Sequence, residues 1–82
     1  MPRFYFDTRQ DETFFPDEEG MEFPDLTAAE REAGETAASI ARDQMRNGRA
    51  QCITVEVRNE DRRRLLAATV SLHIERDEFR LH

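Results

Sequence analysis

Eighty-two residues make one domain, which buries about 60–65% of the surface its unfolded chain exposes. With 38% hydrophobic and 37% charged residues it lies at the polar edge of folded composition. A formal net charge of -6 argues against a grip on phosphate backbones, and a single cysteine, Cys52, excludes an intrachain disulfide framework. No apolar run approaches the ~20 residues of a membrane span, and the first apolar stretch meets Asp7 before signal-peptide length, so a cytoplasmic setting is expected.

Arg3-Phe4-Tyr5-Phe6-Asp7-Thr8 alternates, with Phe4 and Phe6 on one face and Tyr5 and Asp7 on the other, which predicts a half-buried strand. Arg9-Gln10-Asp11-Glu12 reads as a turn and Thr13-Phe14-Phe15 as a short returning strand halted by Pro16. The loop Pro16–Gly20 carries a Pro to open a turn and a Gly to supply positive φ, after which Met21 and Phe23 are expected to reach back to the core.

An alanine-rich helix follows, with Asp25 or Thr27 as N-cap and Thr27 with Glu30 at capping-box spacing. Its apolar positions, Leu26, Ala29, Ala33, Ala37, Ile40, Ala41 and Met45, fall on one stripe of small residues that lets the helix lie close on a sheet. Asn47-Gly48 is the expected stop. Gly34 in mid-helix costs about 1 kcal/mol relative to Ala, and close packing is the one reason the sequence offers for it.

Ile53, Val55 and Val57 alternate with polar neighbours as a third strand, and Asn59-Glu60-Asp61-Arg62 is the turn. A fourth strand is expected from about Arg64 to Ile74, with Leu66, Ala68, Val70, Leu72 and Ile74 towards the helix and Leu65, Ala67, Thr69, Ser71 and His73 away from it. The expected fold is α+β: one domain over 1–82, ββαββ, a four-stranded antiparallel sheet in the order 2-1-3-4 with the helix on one face. Residues 76–82 form a tail in which Phe79 and Leu81 extend the last strand or fray.

The opening Met1-Pro2-Arg3-Phe4-Tyr5-Phe6, the stretch Asp17-Glu18-Glu19-Gly20-Met21-Glu22-Phe23-Pro24-Asp25 and the long final strand, in that order, resemble a family of short uncharacterised proteins common in rhizobia and related alphaproteobacteria, catalogued as a domain of unknown function. The resemblance spans nearly the whole chain and implies a fold and a setting, with no catalytic residue or cofactor attached. Two positions depart from it: relatives often carry His where Asp7 stands, and Gly in the turn that here reads Asn59-Glu60-Asp61-Arg62.

Little in the chain suggests catalysis. Cys52 and His73 fall on one sheet face, yet no orienting third group or oxyanion motif accompanies them, and His82 ends the chain. Asp11, Glu12, Asp17, Glu18 and Glu19 match no calcium loop and read as a solvated acidic rim. No enzyme activity, cofactor or metal is expected.

Two surfaces remain. The sheet face away from the helix reads as more apolar than a solvated face, and it adjoins the long last strand; Tyr5, Thr54, Leu65 and Ala67 there predict a protein-interaction or self-association module. Arg58, Arg62, Arg63 and Arg64 gather at one end of the second hairpin and suggest the alternative, a nucleic-acid-associated regulator with Tyr5 as a stacking platform. The overall charge and the absence of an aromatic signature in Cys52-Ile53-Thr54-Val55-Glu56-Val57 weigh against that alternative.

Overall fold

A computed structural model describes residues 1–78. In chain order the elements are β1 (Arg3–Gln10), β2 (Thr13–Phe15), β3 (Met21–Glu22), α1 (Leu26–Arg46), β4 (Cys52–Arg58) and β5 (Arg64–Ser71). All pairings are antiparallel, in the order β2-β1-β4-β5, with β3 as a fifth strand on β1. The α+β class and the order of the four main strands are those read from the sequence; β3 is the addition.

α1 covers one face. Asp25 is its N-cap, accepting a hydrogen bond from the Ala28 N–H at 2.9 Å, so Thr27 lies inside the helix and the Thr27–Glu30 box does not form. Ala29, Ala33, Ala37 and Ala41 are buried, and they meet Ile53, Val55 and Val57 of β4, each fully buried. Phe4 completes this core from β1, with Phe6 and Phe23 packed edge-on at 5.8 Å between ring centres. Met21 is half exposed and does not join them; it stands on the two-residue strand β3, paired with Phe4. Gly34 is exposed and a methyl there would meet nothing, so close packing is not its reason.

Three boundaries differ from the alternation rule. β1 runs two residues further than expected because the hairpin turn is only Asp11-Glu12, with Gln10 paired to Thr13. Asp11 adopts φ 52 there, and its carboxylate accepts from the Gln51 and Cys52 N–H groups at 3.1 and 3.0 Å, pinning the turn to the start of β4. β5 stops at Ser71, and Leu72 and Ile74 lie exposed beyond it rather than facing the helix. The third difference is a bulge: Val57 pairs with Leu66 and Arg58 with Arg64, leaving Leu65 as the extra residue. Leu65 therefore packs against the core cluster instead of lying on the outer face. The expected continuation through Phe79 and Leu81 lies outside the described residues.

Candidate functional site: a clamped edge and an open edge

The sequence-predicted residues do not converge on one site. On the face away from α1, β1 contributes Tyr5, Asp7 and Arg9, paired with Arg58, Glu56 and Thr54 of β4, which pair in turn with β5 residues Arg64, Ala67 and Thr69. Thr54 and Thr69 share a hydroxyl–hydroxyl hydrogen bond of 3.0 Å. Arg9 lies over the Phe14 ring at 4.8 Å. With Leu65 withdrawn into the core, the face is mainly polar, which corrects the expectation of an apolar one, although Phe14 remains 43% exposed.

One end of this face is locked. Asp7 is only 6% exposed, although it points away from the helix. Its two carboxylate oxygens accept from the Asp17 N–H at 2.8 Å and from Arg58 Nε at 2.8 Å. The same guanidinium donates to the Asp17 carbonyl at 2.8 Å and lies 4.4 Å over the Tyr5 ring, a cation–π geometry. Arg58 is thus committed inside the molecule, which removes it from the basic group expected to face nucleic acid. Arg62, Arg63 and Arg64 stay exposed, and none forms an ion pair among the described residues.

Asp17 closes a gap in the sheet. Phe6 lies between the part of β1 paired with β3 and the part paired with β2, and its N–H donates to an Asp17 carboxylate oxygen at 3.0 Å. The other oxygen accepts from the Glu19 and Gly20 N–H groups at 3.1 Å each. Burial pushes this carboxyl up, but the Phe6, Gly20 and Glu19 N–H donors, with the Arg58 guanidinium, outweigh it and hold the group below its ordinary value. Gly20 completes the loop at φ +72, where an added methyl would fall 2.9 Å from the Phe4 carbonyl oxygen and 2.9 Å from Tyr5 Cε2. Only glycine serves both the dihedral and the contact.

A shallow depression of about 570 Å3 opens beside this clamp, lined by Tyr5, Asp7, Phe14, Glu18, Arg58 and Arg62 among others. Of the titratable groups in its lining, Asp7 and Arg58 are hydrogen-bonded within the clamp, while Glu18, Glu60 and Arg62 are exposed. Cys52 and His73 belong to different surroundings: Cys52 pairs with Ser71, and His73 is exposed beyond β5, 3.8 Å from Glu75. Among the described residues no group of three His, Cys, Asp or Glu is placed to hold a metal ion.

The opposite edge is β5. Hydrogen-bonding direction alternates along an antiparallel strand. Leu72 donates to the Gln51 carbonyl at 2.8 Å, so the N–H groups of Val70 and Ala68 turn towards β4, and those of Ser71, Thr69 and Ala67 turn away from it. From Leu65 to Ser71 the strand reads Leu-Leu-Ala-Ala-Thr-Val-Ser, without a charge or a proline. Edge strands are ordinarily blunted by such residues. Here the bulge at Leu65 and the charge of Arg64 mark one end only.

The match to known families coincides with this architecture: the family model described as Domain of unknown function (DUF6894) covers residues 3–71, from the first residue of β1 to the last of β5. The chain belongs to that family. Comparison with curated proteins and with solved structures found no significant match. The DUF6894 unit is therefore the sheet and its helix, and residues 72–78 extend beyond it. No helix is long and apolar enough to cross a membrane among the described residues.

Sequence reasoning placed Asp17 and Gly20 in a turn, which they form, but it also read Asp11 and Asp17 as part of a solvated acidic rim, whereas both carboxylates accept backbone N–H bonds, and it missed that the turn fastens Asp7 and Arg58. The signal was present in Asp7: an acid in the middle of an aromatic strand needs a partner, and Arg58 stands one pairing step away on β4.

Proposed function

We propose that this DUF6894 chain is a non-enzymatic, cytoplasmic protein-interaction module that adds an extended strand of another polypeptide to its β5 edge. The observation that carries this reading is the uncharged, proline-free run Leu65–Ser71 on a terminal strand, with the N–H groups of Ala67, Thr69 and Ser71 directed outward. Main-chain pairing of this kind supplies affinity without a pocket. The commitment of Asp7, Asp17 and Arg58 to internal hydrogen bonds supports the non-enzymatic part, since these three groups hold the fold together. Of the four residues first singled out, Ala67 lies on this edge, Thr54 supports it from the neighbouring β4, and Leu65 anchors the bulge that begins it; Tyr5 lies two strands away on β1, in the clamp with Arg58.

The test is Ala67→Pro. This substitution removes an outward N–H and places a ring on the open edge while leaving the β4–β5 ladder intact. Association with another chain, whether a second copy or a protein retained from cell extract, is expected to be lost with the thermal unfolding midpoint little changed. Association unaffected by Ala67→Pro in a folded protein would refute the edge reading.

A further inference from the structure

We propose that Asn47-Gly48 is a site of spontaneous deamidation which the folded end of α1 holds shut, and whose product unfastens the segment joining α1 to β4. Of the two asparagines in the chain, Asn47 precedes glycine and Asn59 precedes Glu60. The reaction is an attack by the backbone nitrogen of the following residue on the asparagine amide carbon. Glycine, with no side chain to crowd that nitrogen, is the most permissive neighbour. Asn47 and Gly48 are both exposed, so water and hydroxide reach them.

The geometry at the helix end ties down both reactants. The Gly48 N–H, whose nitrogen is the nucleophile, donates to the Met45 carbonyl at 3.1 Å, and the Arg49 N–H donates to the Gln44 carbonyl at 2.8 Å. With Gly48 at φ +70, these are the two bonds that close a helix through a left-handed residue. The Asn47 side-chain amide donates back along the helix to the Asp43 carbonyl at 2.9 Å. Asn47 itself stands at φ -95 and ψ 6. Closing the imide ring needs the Gly48 nitrogen in line with the Asn47 Cβ, a rotation of ψ that breaks the bond to Met45. Conversion therefore runs through the opened last turn of α1 and not through the native cap.

In the opened turn the Gly48 nitrogen gives its proton to hydroxide and bonds to the Asn47 amide carbon. The bond from that carbon to the side-chain nitrogen breaks, and the nitrogen takes a proton from water and leaves as ammonia. Water then opens the imide at either carbonyl, leaving aspartate at position 47 or its isomer with the main chain running through the former side chain. The balance is water in and ammonia out, with nothing oxidised or reduced. Neither product rebuilds the cap. Aspartate has no N–H for the Asp43 carbonyl and sets a negative charge at the negative end of the helix dipole. The isomer lengthens the main chain between Met45 and Gly48 and so shifts both closing bonds out of register. The segment released carries Ala50, 3% exposed in the core, and Gln51, whose carbonyl accepts the Leu72 N–H at 2.8 Å just past β5. Because the reaction does not reverse, the converted fraction records how long the end of α1 has spent open.

The experiment follows amide-to-acid conversion at both asparagines by peptide mass spectrometry, in the purified full-length chain incubated at mildly alkaline pH with and without urea. Unfolding should speed conversion at Asn47 by about tenfold or more, and in urea Asn47 should outpace Asn59 by a similar factor. Arg46→Gly loosens the exposed last turn without touching the dipeptide. It should speed conversion in the folded chain about fivefold and leave the rate in urea unchanged, with circular dichroism establishing that the variant is folded. In the converted chain, separated by ion exchange, the Gly48 and Arg49 amides should lose their protection from hydrogen exchange. Equal rates with and without urea, or a folded Arg46→Gly that converts no faster, overturn the guarding role of the cap. Conversion at Asn47 no faster than at Asn59 in urea overturns the site itself. Undiminished amide protection in the converted chain overturns the release of the segment.

Discussion

The two edges of this sheet are finished in opposite ways. On the β1 side, where β2 and β3 leave a gap, the side chain of Asp17 takes the Phe6 N–H that a strand would have taken, and Asp7, Arg58 and Tyr5 fasten the loop that carries it. On the β5 side the corresponding N–H groups of Ala67, Thr69 and Ser71 face outward, and neither a charge nor a proline interrupts the run. A small domain cannot leave backbone donors unpaired without consequence. One edge meets that demand with its own side chains, and the other is left for water or for another chain. The contrast separates residues that maintain the fold from residues available for recognition, and substitutions on the two sides should behave differently.

The largest effect is expected from Asp7→Ala. Removing a nearly buried carboxylate leaves Arg58 without its ion-pair partner and the Asp17 N–H without an acceptor, for a loss of about 3 kcal/mol. Urea denaturation monitored by circular dichroism reads this as a lower midpoint at unchanged slope. A loss below about 1 kcal/mol would mean that the clamp adds little to stability.

A smaller effect, with a distinctive pH signature, belongs to Asp17. Because its folded value is depressed, its contribution to stability is complete above the ordinary aspartate range near pH 4 and is lost as pH falls through the folded value. Wild-type stability should therefore decline as pH falls below about 5, and Asp17→Asn, less stable at neutral pH, should decline less steeply over the same acid limb. Parallel pH profiles for the two proteins would show that the carboxylate charge is not what closes the gap.

The smallest effect is a gain in stability. Arg62 adopts φ 66 in a turn where Asn59 accepts from the Asp61 and Arg63 N–H groups at 2.9 Å each. Left-handed backbone favours glycine, so Arg62→Gly should stabilise the isolated chain by about 0.5–1 kcal/mol. Thermal melting reads the change; a lower melting temperature would exclude strain at this turn.

Much of this architecture was legible in periodicity. Ile53, Val55 and Val57 marked β4, Phe4 and Phe6 marked the buried face of β1, and the spacing of Ala29, Ala33, Ala37 and Ala41 marked the helix face, because burial on one side imposes a period. The strand order was a choice among the few arrangements that hairpins and a right-handed crossover leave, and the structure has the one chosen. What periodicity could not convey was anything set by one residue at one place. Leu65 has the outward position by count and the inward position by geometry, because a single inserted residue resets the alternation. Leu72 and Ile74 continue the pattern of β5 after their strand partners have run out. The clamp joins Asp7, Asp17 and Arg58, separated along the chain by a loop and a helix, and only their assembly reveals that a turn residue and a lone strand acid serve one purpose.

The four alanines beneath α1 restrict how such a domain diversifies. A methyl is the smallest side chain that still excludes water from the contact, and at Ala29 and Ala33, each fully buried, any enlargement must lift the helix from Ile53, Val55 and Val57. The interior is thus closed to gradual change and has no room to evolve a chamber for a small molecule. New specificity has to be written on the rim, in turns, strand edges and terminal extensions, where a substitution alters what the domain meets without altering what it is.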